Sequence, residues 1–183
     1  MEIEISQSLK MRLSGLERLD PVEVLVDDYE PGKGKITITC YGKAWTASWF
    51  AMSGQTISQF FRRCGNDYLI GYLSPQLDKS VDDDNDANIV FVKREIIRLL
   101  RANDITKEKA REYWDAAVSS EDVKSDICKW LSGSDLADLA DLLGDDPYYA
   151  NWPMVENPSY RYLSRIVDAV KAGFEQSELV KEA

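Results

Sequence analysis

GKITITCYGKAWTASWFAMSGQTISQFFRRCGNDYLIGYL, residues 34–73, gathers much of the chain's aromatic and β-branched character, and its change of period decides the fold. Ile36, Ile38 and Cys40 alternate with Thr37 and Thr39, as a strand with one buried face requires. Tyr41-Gly42-Lys43 is a tight connection. Ala44 to Ala51 then reads as a second alternating run, with Trp45, Ala47, Trp49 and Ala51 on one face and Thr46, Ser48 and Phe50 on the other. Beyond Ser53-Gly54 the period lengthens. Thr56 is placed to cap a helix reaching about Cys64, whose Ile57, Phe60 and Phe61 form a stripe able to cover the sheet.

Working outward towards the N-terminus, Val22 to Val26 alternates as another strand, and Pro31-Gly32-Lys33-Gly34 turns it into the central stretch. These runs predict an antiparallel three-stranded meander. Leu9, Leu13 and Leu16 recur at helical spacing ahead of Asp20-Pro21 and predict a short leading helix.

Towards the C-terminus, residues 74–88 (SPQLDKSVDDDNDAN) are polar and rich in turn formers. The expected division is an α+β lobe over 1–78, an acidic linker or loop over 79–88, and a helical lobe over 89–183. Val92, Ile96 and Leu99 mark the first helix of that lobe, with Asp86 or Asn88 as its cap. Thr106 caps a second, with Ala110, Trp114 and Ala117 inward. Ser119, with Asp122 three residues on, caps a third, ending near Leu131. Ser134 opens a short helix stopped at Gly144. Asp145-Asp146-Pro147 begins an irregular aromatic loop. Asn157 with Pro158 starts the last helix, whose seam is Leu163, Ile166, Val167, Val170 and Phe174.

Composition narrows the chemistry. The 183 residues include 44% hydrophobic residues and five Trp, enough for a real core. Cys40, Cys64 and Cys128 are odd in number and widely spaced, which suggests neither a disulfide framework nor a four-cysteine zinc site and fits a reducing cytoplasm. The leading segment lacks the apolar run of a secretory signal, and no stretch approaches the length of a membrane span. A formal net charge of −10 disfavours nonspecific binding to nucleic acid or anionic membrane and leaves a basic protein partner open. The chain contains no His, which excludes Ser-His-Asp and Cys-His triads and HExxH zinc sites.

Asp82, Asp84, Asp86 and Asn88 alternate like the start of a calcium loop. Ala87 stands where a Gly is needed, however, and Lys93 where the closing Glu belongs. Ser48, Ser53 and Cys64 lie in no nucleophile motif. Lys93, Arg94, Arg98 and Arg101 form a basic helix side, and Asp135, Asp138, Asp141 and Asp145 an acidic one, suited to surface charge or docking. The residues singled out for binding a partner are Phe50, Asp135, Asp138, Asp141, Asp145, Tyr148, Tyr149 and Trp152. No catalytic residue, metal or cofactor is implied.

Residues 36–49, followed by Met52-Ser53-Gly54 and Gln59-Phe60-Phe61, resemble small accessory proteins of temperate phages and prophages of enterobacteria. The resemblance covers about residues 31–73, while the helical remainder is compatible with it. It implies a setting and no active site. Such proteins often bind and alter a host factor, including inhibitors of restriction or CRISPR defence. The expectation is therefore a non-enzymatic, cytoplasmic protein that modulates a host protein. The alternatives are a carboxylate- and Mg-dependent enzyme built on Asp82 to Asp86 and an acidic nucleic-acid mimic, with direct nucleic-acid binding disfavoured by charge.

Overall fold

A computed structural model of the chain describes residues 3, 7–128, 136–140, 143–144 and 146–182. Its first element corrects the reading above. Leu9 to Leu13 is not helical; it is strand β1 (Leu9–Leu13), paired antiparallel with β2 (Val22–Glu30) so that Leu9, Met11 and Leu13 stand opposite Val26, Val24 and Val22. Leu and Met at alternate positions satisfy period two as well as the wider Leu spacing satisfies a helix. Pairing with a neighbouring strand decides between them.

The meander therefore has four strands, not three, in the order β1-β2-β3-β4, with β3 spanning Lys33–Cys40 and β4 Lys43–Trp49. Ile36 pairs with Val26 and Ala47, and Ile38 with Val24 and Trp45. The register puts the apolar set on one face and Lys10, Glu23, Thr37 and Thr46 on the other. Ala51, expected inward, lies beyond the strand and is exposed. Tyr41 and Gly42, both at positive φ, make the tight β3–β4 turn.

Helix α1 (Ile57–Arg63) begins as expected at Thr56, whose hydroxyl accepts from the Gln59 N–H while the Gln59 side chain returns to the Thr56 N–H. Ile57 and Phe61 are fully buried against the sheet. Helix α2 (Asn66–Leu73) adds Leu69, Ile70 and Leu73 to the same core.

At Ser80 the chain enters a second compact unit, residues 80–156. Strand β5 (Ser80–Val81) pairs with β6 (Val155–Glu156) at its two ends. Between them lie α3 (Asn85–Ala102), α4 (Lys107–Ser119), α5 (Val123–Cys128), α6 (Ala137–Ala140) and a 3-10 turn at Pro147–Tyr149. Val92, Ile96, Ala110, Ala117, Ile127 and Leu139 are among the side chains of its own core. Two details differ from expectation. On α4 it is Tyr113 that is buried, while Trp114 is 37% exposed with the Lys93 ammonium over its ring. The caps are Asp84 for α3 and Asp122 at the start of α5, each accepting the N–H three residues on, where Asp86 or Asn88 and Ser119 had been read.

The last helix, α7 (Pro158–Glu182), returns to the first unit, which comprises residues 1–79 and 157–183. Its seam of Leu163, Ile166, Val167, Val170 and Phe174 is buried in the core of the sheet, so residues 157–183 group with the sheet and not with the helices that precede them. Asn157 caps it through Ser159. Asn66 donates to Ser164 and Asp168, and Lys171 reaches both Asn66 Oδ1 and the Cys64 carbonyl, tying α7 to α2. Where the chain leaves and re-enters, the Asn157 N–H donates to the Lys79 carbonyl at 2.9 Å. Among the described residues no helix is long and apolar enough to cross a membrane.

Candidate functional site

The segment Asp146–Met154 combines a capped 3-10 turn with the two most exposed aromatic rings among the described residues of the 80–156 unit. Pro147 fixes φ at the start of the 3-10 turn, and the Asp146 carboxylate accepts from the Tyr148 N–H at 2.9 Å. The Trp152 indole is the anchor. It is 6% exposed, packs on Phe91 at 5.0 Å between ring centres, and donates Nε1–H to the Pro147 carbonyl at 2.8 Å. Trp152, read from sequence as a partner-binding residue, thus belongs to the scaffold. A buried indole N–H usually finds an acceptor, and here the turn supplies one.

Held on that anchor, Tyr148 and Tyr149 project outward, 62% and 80% exposed, their rings 5.5 Å apart in an edge-to-face pair. Met154 is also exposed. Phe50, just beyond the end of β4 in the first unit, is 66% exposed. Asp135, Asp141 and Asp145 lie outside the described residues, and Asp138 is described by its backbone alone.

Beside Tyr148 is a hollow of about 330 Å³ lined by Asp83, Asp122, Lys124, Ser125, Cys128 and Tyr148. Lys124 is its inner wall. Its side chain is only 15% exposed, its ammonium sits 2.6 Å from the Asp82 carboxylate, and the Tyr148 and Trp152 rings lie 5.5 and 5.8 Å from it. Burial pushes the Cys128 thiol above its ordinary pKa; Lys124 opposes that shift and Asp146 and Asp122 reinforce it. The Cys64 thiol is raised by burial too, against the pull of Lys171. Both are protonated and weakly nucleophilic at neutral pH.

The acidic run that resembled a calcium loop has structural employment. Asp82 holds Lys124 and Asp84 caps α3. Asn85 ties α3 to α5 through the Ser120 carbonyl and the Val123 N–H, and buried Asn88 donates to the Asp82 carbonyl. Among the described residues no group of three or more Cys, Asp or Glu side chains is arranged to hold a metal ion. On the basic side of α3, Arg98 pairs with Glu95 within its own helix. Trp49 of β4 packs inside the core, 4% exposed, and meets Phe60, Phe61 and Tyr72 at 5.5, 6.4 and 5.5 Å.

Sequence reading missed Asp83, Asp122, Lys124 and Cys128 as one constellation. Residues 121–128 show only a lysine among carboxylates, and nothing in their spacing says that they fold back towards Tyr148.

No curated protein and no solved structure matches the chain. A family model described as a phage family, Phage_phiTE_072, matches residues 1–176, which takes in both compact units. That match supports the relation to phage proteins that residues 31–73 suggested, without the narrower assignment to temperate phages of enterobacteria. The chain belongs to this phage family.

Proposed function

We propose that this phage protein works by docking on a protein of the bacterial host and modulating it, without catalysing a reaction of its own, and that Tyr148 and Tyr149 head the docking surface. One observation carries the reading: two large, adjacent aromatic side chains stand in solvent on a turn whose backbone is locked by a buried tryptophan. An exposed aromatic pair costs solubility, and a rigid one loses little freedom on binding, which is the profile of an interface hot spot. A cytoplasmic target in a host defence assembly, restriction or CRISPR, and a temperate enterobacterial setting accord with the resemblance of residues 31–73. The engagement of Asp82 and Asp84 in an ion pair and a helix cap weighs against the metal-dependent enzyme. One feature favours the nucleic-acid mimic as second reading: residues 80–156 contain 18 acidic and 9 basic residues, a net −9 within a chain of −10.

The test is site-specific photocrosslinking in the host cell. A benzophenone side chain replacing Tyr149 should capture one discrete protein, whereas the same group at Tyr41, 79% exposed in the sheet unit, should not. Indistinguishable adducts from the two positions defeat the proposal.

A further inference from the structure

We infer that the hollow beside Tyr148 receives a lysine or arginine side chain from a basic segment of the docked protein, with Asp83 and Asp122 meeting its charge and the Tyr148 ring its aliphatic stem. The inference rests on the docking role of the Tyr148–Tyr149 turn and adds the chemistry of the partner.

Charge complementarity is the first support. Segments 82–86, 121–128 and 146–148, which supply or adjoin its lining, hold eight acidic residues against one basic, Lys124. Lys124 is already matched by Asp82 at 2.6 Å. Asp122 and Asp146 each accept a backbone N–H through Oδ1, and Asp83 has no partner among the described residues. A cation entering here meets Asp83 and Asp122 carboxylates that no ammonium among the described residues neutralises.

The second support is that the fold itself seats a cation here. Lys124 lies with its ammonium between a carboxylate and two aromatic faces, the environment that stabilises a partly desolvated ammonium or guanidinium. An incoming basic side chain would use the outer half of the same arrangement. Size agrees: about 330 Å³ is at the small end of the ~300–1,000 Å³ range of ligand sites, suited to one side chain. A small cation, by contrast, would leave the Tyr148 wall without a stem to cover it.

The test is an amide-resolved NMR titration of the full chain with hexalysine, with hexaglutamate as control. Hexalysine should shift Ser125, Cys128 and Tyr148, and hexaglutamate should not. Asp83→Asn should weaken binding by about fivefold, while Asp86→Asn, an identical charge change outside the hollow, should weaken it by less than about twofold. Equal weakening by the two variants, or equal shifts from spermidine, overturns the inference by showing only diffuse attraction of cations. Failure here alongside a discrete Tyr149 crosslink removes the basic partner and leaves the docking role intact. Failure of the crosslink removes the docking role itself.

Discussion

The two compact units of this chain reach stability by different routes. The sheet unit carries 14 acidic and 13 basic residues, is close to neutral, and is held by interdigitated apolar side chains of β2, β3, α1, α2 and α7. The inserted unit carries almost the whole net charge, and polar side chains reinforce its smaller core: Asn85 bridging α3 to α5, Asn88 on Asp82, Asp84 and Asp122 as caps. The lesson is about location. A near-neutral apolar framework tolerates little surface change of consequence, whereas a charged unit with an exposed aromatic turn can vary its recognition while its framework stays put.

The largest test of that contrast is excision. Lys79 and Asn157 are already joined by a 2.9 Å hydrogen bond, so replacing residues 80–156 with a two-residue Asn-Gly turn should leave a sheet unit that still unfolds cooperatively in urea. A gradual, featureless transition would show that the sheet depends on the insert.

Phe61→Ala comes next. Phe61 is fully buried edge-on to Phe174 at 6.0 Å, and its loss should cost about 3–5 kcal/mol by chemical denaturation. Amide exchange in residues 85–128 should be unchanged; an equal acceleration there would mean that the units unfold as one block. In the other direction, Asn85→Ala removes two hydrogen bonds and leaves the Val123 N–H unpaired. It should cost about 1–3 kcal/mol, seen as faster exchange in α5 and not in the sheet.

The smallest effect is alkaline. Burial, and then the 2.5 Å hydrogen bond to Asp67, push the Tyr160 phenol up to about 12. A raised pKa means that the neutral phenol is the form the fold favours. Its contribution is complete below the ordinary value of 10.0 and is lost as pH rises to about 12. Thermal melts of Tyr160→Phe should therefore fall less steeply than wild type across that window. Parallel curves would refute the assignment. Tyr162, raised to about 12 by its hydrogen bond to Cys40 and then by burial, remains in both proteins.

What could be read in advance followed from periodicity. Ile36 to Trp49 declares its buried face residue by residue, and Thr56 declares the start of α1. Leu9 to Leu13 was misread because Leu9 and Leu13, four residues apart, fit a helical turn and, with Met11 between them, fit period two equally, and only pairing with Val22 to Val26 distinguishes the two. The α7 seam was legible but its destination was not: an apolar stripe says that a helix packs, not against what. The site was harder still. Tyr148, Tyr149, Trp152 and Met154 fall in an irregular segment without a period, so sequence could not tell the one ring that anchors from the two that project.

The return of α7 has a consequence for synthesis on the ribosome. The residues that complete the sheet unit, Leu163 to Phe174, are translated only after the whole insert. The inner face of β1–β4 thus emerges early with α1 and α2 to cover part of it, and the part that α7 covers stays open until residues 158–174 leave the exit tunnel, while the insert has every residue of its own core before then. A nascent chain stalled near residue 156 would display the part of the valine and isoleucine rows that α7 covers, the state in which a chaperone has most to hold.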